Sequence, residues 1–162
     1  MDAKEKVFER LKELNISYEV TEHPAVYTIE DMENLGITSQ GEVCKNLFLR
    51  DEKGKRHFLV VLQKDKTADL KNIQKLIGCT RLSFASAERL EKYLKLEKGE
   101  VTPLGVINDV DAAVEVIFDS DIKGNDRLGV HPNTNTATVW ISFDDVKKVV
   151  EANGNKIKYV KI

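Results

Sequence analysis

The sequence predicts an α+β fold in a single domain spanning residues 1–162, and three observations predict it. Segments of helical and of strand periodicity are interspersed without the steady strand–helix–strand rhythm of a doubly wound sheet. No GxGxxG or GxxxxGK[ST] motif is present, so neither a Rossmann nor a nucleotide-hydrolysing P-loop reading has support. At 162 residues the chain can bury one real core and is short for two, and it holds no repeat, low-complexity tract or Pro/Ser-rich linker.

The elements follow in order. Residues 3–14 place Val7, Phe8, Leu11 and Leu14 on one helical face. Ile16, Tyr18 and Val20 alternate as in a half-buried strand over 16–20, which His23-Pro24 breaks. Thr28 caps a short helix with Glu30 and Asp31 in its first turn and Gly36 as its stop. Strands over 43–50 and 57–63 make a hairpin through the turn-rich link Asp51-Glu52-Lys53-Gly54. Asp69 caps a helix through Ile77 that turns Leu70, Ile73 and Leu76 inward and ends at Gly78; Ser86 starts another, through about Leu96. Strands are expected near 104–108, 113–118 and 135–142, then a helix from Asp144 to Ala152 and a closing strand from Lys156 to Ile162.

Composition narrows the function classes. With 25 basic against 27 acidic residues the net charge is −2, a poor balance for a protein living on the phosphate backbone. A nucleic-acid substrate is then gripped locally. Lys64, Lys66, Lys71 and Lys75 are a candidate basic patch, although a solvated helix face is the commoner meaning of such a cluster. No run approaches the roughly 18–20 apolar residues that cross a bilayer. The N-terminus is charged throughout and lacks a signal peptide's apolar segment, so a cytoplasmic setting without membrane contact is expected. Cys44 and Cys79 stand alone, which suggests neither a zinc site nor a disulfide framework, and no cofactor or metal is expected. Cys44 reads as a small buried residue rather than a nucleophile, and His57, after Lys55-Arg56, as exposed. The segment Asp119 to Asp126 reads as solvated, without a metal-ligand pattern.

Three stretches carry candidate chemistry. In Val43-Cys44-Lys45-Asn46-Leu47-Phe48-Leu49, alternation puts Lys45 on one strand side with Val43, Leu47 and Leu49. An ammonium so placed reaches solvent at the strand's start, finds an anion or lines a cavity, because burying it unpaired is costly. In Gly99-Glu100-Val101-Thr102-Pro103-Leu104-Gly105, two glycines bracket a Pro-anchored loop. Such a loop either exposes backbone N–H groups to a ligand or simply joins helix to sheet. In Leu128-Gly129-Val130-His131-Pro132-Asn133-Thr134-Asn135-Thr136-Ala137-Thr138, His131 is pushed toward extended backbone by Pro132, in a substrate-facing loop or a surface turn.

In this order and spacing the stretches resemble the aminoacyl-tRNA editing family related to the insertion domain of bacterial prolyl-tRNA synthetase. The resemblance covers nearly the whole chain, from His23-Pro24-Ala25-Val26-Tyr27-Thr28 through Cys44-Lys45-Asn46-Leu47 and Gly99-x-x-x-Pro103-Leu104-Gly105 to Gly129-Val130-His131-Pro132. The segment His131-Pro132-x-x-Asn135-x-Ala137-Thr138 is most similar to the free-standing deacylases for alanine on proline tRNA. The resemblance implies a mixed, strongly curved, barrel-like sheet with flanking helices. It implies a hydrolase that cleaves alanine from mischarged proline tRNA in trans, held at the acceptor end, with prolyl-tRNA synthetase as a further candidate partner. Lys45 would be the key catalytic residue, and Asn46 the residue after it in the family's Lys-Asn strand. Gly99, Pro103 and Gly105 would form the substrate-holding loop, and His131 would lie near the aminoacyl group. Tyr27, Thr28, Ile29 and Met32 are candidate walls of the amino-acid pocket. Three alternatives stay open: a cysteine-specific deacylase of the same fold, a non-catalytic aminoacyl-tRNA or synthetase-binding module, and a small-molecule hydrolase or amino-acid binder.

Overall fold

The computed structural model describes residues 1–162, and its local elements begin where polar side chains cap them. Asp2 accepts from Glu5 N to start α1 (Ala3–Glu13), whose apolar stripe buries Val7 and Leu11. Asn15 then adopts a left-handed φ of 58°, so Ile16 is buried in the connection, and β1 (Glu19–Glu22) starts later than the alternation predicts. Thr28 and Asp31 form a reciprocal capping box on α2 (Ile29–Asn34). Asp69 caps α3 (Leu70–Ile77), which Gly78 ends in the left-handed region at φ 79°. Ser86 caps α4 (Ala87–Leu94), which ends two residues short of Leu96 because Lys95 turns left-handed.

The hairpin is formed by β2 (Glu42–Arg50) and β3 (His57–Gln63), paired from Cys44↔Gln63 to Arg50↔His57. Asp51 closes its turn, its Oδ1 accepting from the backbone N–H groups of Lys55 and Arg56. Later come β5 (Val114–Asp119), β7 (Ala137–Ile141), α5 (Phe143–Asn153) and β8 (Ile157–Val160). Two short strands were not anticipated: β4 (Ser83–Phe84) and β6 (Leu128–Val130). The strand expected near 104–108 is instead a 3₁₀ helix, Pro103–Asn108. Thr102 Oγ1 accepts from Leu104 N and Pro103 occupies the first turn, so the Thr-Pro pair starts a helix despite the apolar run behind it.

The strands form a mixed sheet in the order β1-β7-β6-β2-β3-β5-β8, with β4 added to β2. It is not closed into a barrel; β1 and β8 are its two ends. Alternate residues of β3 serve two apolar layers. Leu59 and Val61 join Leu11, Leu94, Val146 and Val150 from three helices, whereas Phe58, Val60 and Leu62 pack with Ile73 and Ile77 of α3. Burying each such side chain contributes about 1.5–3 kcal/mol. A third cluster, Val26, Met32, Ile37, Val43 and Trp140, sits beneath α2.

Two polar positions differ from expectation. His57 is 1% exposed, because Arg89 reaches from α4 to bond its Nε2 at 3.0 Å and Tyr93 lies against its ring. Asp119, expected in solvent, is fully buried and paired with Lys66. In both cases the partner that permits burial lies far away in sequence.

Candidate functional site

The site grows out of the way β2 is paired. One of its edges is bonded to β3 along seven residue pairs. Its other edge meets β6 only at Glu42 and Val43, and β4 only at Leu49 and Arg50. On that second edge Glu42 N donates to Arg127 O, and Phe48 O accepts from Ala85 N. Backbone groups alternate sides along a strand, so Asn46, an even number of residues from both, turns its own N–H and C=O into the gap between β6 and β4.

A cavity of about 650 Å³ lies at this gap, within the range of small-ligand sites. Its walls are mostly hydrophobic: Val26, Ile29 and Met32 from the β1–α2 region, Val43, Cys44, Leu47 and Phe48 of β2, Phe84, Ala85, Ala87 and Leu90 around β4 and α4, and Val101 and Val130. Lys45, Asn46, Gly99, His131, Tyr27 and Thr28 all line it. Pro103 and Gly105 do not; they are buried in the 3₁₀ helix, where a Cβ on Gly105 would meet Leu96 Cδ1 at 2.8 Å.

Lys45 and Lys98 are the charges among these mostly apolar walls, and Lys45 stands on the β2 strand itself. It is half-buried, and its Nζ donates to the backbone oxygen of Lys66 at 2.7 Å. An ammonium has three N–H donors, so two remain for a ligand. Asn46 Nδ2 reaches Cys44 O at only 3.5 Å, and its buried Oδ1 has no hydrogen-bond partner, an amide with capacity to spare. Cys44 cannot serve as a ready nucleophile, because burial, helped by Glu42 and Asp119, pushes its thiol up to about 12.

His131 presents a defined tautomer. Its Nδ1 lies 3.2 Å from Ala137 O, and a carbonyl only accepts, so Nδ1 carries the proton. Burial holds the ring's pKa below the usual histidine value, a direction the nearby His23 reinforces and the Ala137 carbonyl opposes. The neutral ring keeps Nε2 as an acceptor. Thr102, fully buried, donates to His131 O at 2.7 Å and so ties the 99–105 segment to the His131 segment. His23 is fixed beside them, its Nδ1 donating to Pro24 O at 2.8 Å and its Nε2 accepting from Thr138 Oγ1 at 2.9 Å.

The mouth is built from two exposed aromatics, Tyr27 (68% exposed) and Phe84 (62%). Asp31 holds the Tyr27 loop, accepting from the N–H groups of Tyr27 and Thr28. Gly99 has φ +93°, and a Cβ there would also sit 2.9 Å from the Tyr27 ring, so glycine satisfies both the turn and the close approach. Phe84 and Lys98, which line the cavity, and Thr102, which ties two of its loops together, were not singled out from sequence. Thr102 had a readable signal, a capping residue followed by proline; Phe84 and Lys98 had none.

Residues 23–149 match the model of the aminoacyl-tRNA editing domain family. The chain is 53% identical over 162 residues to the prolyl-tRNA editing protein ProX of Acetoanaerobium sticklandii, covering 100% of this chain and 99% of that one. It is 36% identical over 151 residues to the mouse prolyl-tRNA synthetase associated domain-containing protein 1, covering 91% and 89% respectively. A crystal structure of a candidate trans-editing enzyme for prolyl tRNA synthetase superposes with a TM-score of 0.71 at 21% identity, over 100% of this chain and 98% of that one.

Proposed function

The chain belongs to the aminoacyl-tRNA editing domain family, and from that premise we propose that it is a trans-editing hydrolase that deacylates alanine from mischarged proline tRNA. The observation that carries the chemistry is Lys45, an ammonium held by the Lys66 backbone oxygen, on the β2 wall of a mostly apolar cavity at the strand's unpaired edge. Such a charge acts strongly on a bound ester or phosphate because little water competes with it.

In this reading the terminal adenosine enters between Tyr27 and Phe84, whose exposed rings offer stacking faces for a base. Lys45 orients the terminal phosphate or polarises the ester carbonyl. His131 Nε2 accepts from the substrate's α-ammonium and so positions the aminoacyl end. The backbone of the Gly99 loop holds the carbonyl region. Water, oriented by the adjacent ribose hydroxyl, adds to the carbonyl carbon; the ester C–O bond breaks, the ribose oxygen takes a proton, and free alanine leaves. No side chain forms a covalent intermediate, in keeping with the protonated Cys44 thiol. Val26, Ile29 and Met32 line the cavity and would form the wall that excludes the larger proline ring. Recognition of the tRNA is confined to its acceptor end, which reconciles the substrate with a net charge of −2.

No helix is long and apolar enough to cross a membrane. Cytoplasmic action, with prolyl-tRNA synthetase as a further partner, belongs to the same proposal. The test is incubation with proline tRNA charged separately with alanine, cysteine, serine and proline. Selective loss of the alanyl ester is expected. Faster loss of the cysteinyl ester reassigns the substrate, and no loss from any of the four leaves a binding module.

A further inference from the structure

Lys66 follows β3 and does not line the cavity, and the reaction described above makes no use of it. Its backbone and its side chain nevertheless face two different tasks. The backbone oxygen accepts from Lys45 Nζ at 2.7 Å. The side-chain ammonium is surrounded by acceptors: the Asp119 carboxylate at 2.8 and 3.0 Å, Asp121 Oδ2 at 2.6 Å and the Ile162 backbone oxygen at 3.1 Å.

Asp119 is fully buried at the end of β5, a strand whose register with β3 runs in parallel up to Val61↔Phe118. Its own Oδ1 also accepts from Asp121 N, which fixes the carboxylate. The turn that carries Lys66 is closed by its N–H donating to Gln63 O, and Gln63 is the β3 partner of Cys44. The path from Asp119 to Lys45 is therefore short: buried carboxylate, Lys66 ammonium, Lys66 carbonyl, Lys45 ammonium. Burial opposes the Lys66 charge, yet the bonds to Asp119 and Asp121 carry its pKa above the ordinary lysine value.

We infer that Lys66 is a positioning residue for Lys45, its ion pair with buried Asp119 anchoring the turn so that its carbonyl holds the Lys45 ammonium against the cavity wall. A lysine side chain is long and flexible, and its catalytic value depends on being held before the substrate arrives. One bond to a fixed carbonyl selects its orientation and leaves two donors for the ester or phosphate. Replacement of Lys66 alone strands the Asp119 charge in the interior and destabilises the fold by that route. The informative variant removes both charges together.

The inference rests on the proposed role of Lys45, so the experiment includes Lys45→Ala beside the Lys66→Met/Asp119→Asn double variant and Lys66→Arg. Each is assayed for deacylation of alanyl proline tRNA, with thermal unfolding measured in parallel. The double variant is expected to fold, to keep KM within about twofold and to lose about tenfold or more in kcat through misplacement of Lys45. Lys66→Arg, which retains both the pair and the carbonyl, is expected to restore kcat to within about threefold. An unchanged kcat in the folded double variant, with Lys45→Ala inactive, overturns the inference and leaves the function standing. Full activity of Lys45→Ala overturns both. A fall in kcat that merely tracks lost thermal stability across all Lys66 variants assigns Lys66 to the scaffold and overturns the inference alone.

Discussion

The two strands of one hairpin, β2 and β3, share a ladder of seven residue pairs but end in opposite roles. β3 has partners on both edges, β2 on one side and β5 on the other, and every residue from His57 to Leu62 is buried. β2 shares the first of those ladders but is bonded on its other edge only near its two ends, so its middle, Lys45 to Leu47, is half-exposed. A strand held on both edges has its backbone groups satisfied and can be packed on both faces; a strand released by its neighbours has backbone groups and side chains to offer. The candidate site lies where the sheet lets go of β2.

The comparison breaks most decisively at Lys45. Lys45→Ala is expected to lower the deacylation rate by about 100-fold or more while thermal unfolding changes little; a variant that is unfolded, or fully active, would make β2 a scaffold strand like β3. On β3 the effects should reverse. Leu59→Ala empties a fully buried position and is expected to cost about 2–5 kcal/mol in chemical denaturation, with deacylation falling only as the folded fraction does.

His57 sharpens the β3 side through pH. Burial, reinforced by the Arg89 guanidinium, lowers its pKa to about 4 against an unfolded value of 6.5. As pH falls through that window the unfolded chain binds a proton that the folded chain refuses, so stability declines below pH 6.5 and the loss is complete near pH 4. The shift corresponds to a loss on the order of 3 kcal/mol. Urea titrations of wild type and His57→Gln at several pH values across the window should show a shallower acid limb in the variant. The smallest effect is expected at the lip of the gap. A Cβ on Gly129 would lie 2.6 Å from the Trp140 ring, so Gly129→Ala should overpack β6 and cost about 1–3 kcal/mol. It should also raise KM if β6 frames the cavity; an unchanged KM would separate the lip from binding.

Much of the local structure was legible because its causes lie within a few residues. Asp69, Ser86 and the Thr28–Asp31 pair cap their helices, and Gly36 and Gly78 turn left-handed after theirs. The strand expected at 104–108 shows the limit of apolar pattern: Val106 and Ile107 suit a strand, but Thr102 and Pro103 start a helix before them. β4 and β6 are two and three residues long, too short to show a period. Alternation marked Lys45 as an unusual charge, and the ordered segments around Gly99 and His131 pointed to the same family. Nothing local could show that Pro103 and Gly105 would be packed away from the cavity that Gly99 lines.

By itself, then, the sequence determined the helices with their caps, the β2–β3 hairpin and the family to which the chain belongs. These rest on side-chain periodicity, on hydrogen bonds spanning three or four residues, and on motifs kept in order. Only the tertiary structure decided that His57 and Asp119 are buried, since their partners Arg89 and Lys66 stand 32 and 53 residues away. Only it decided that β2 is left open between β4 and β6, because which edges pair is settled by contacts among segments remote in sequence.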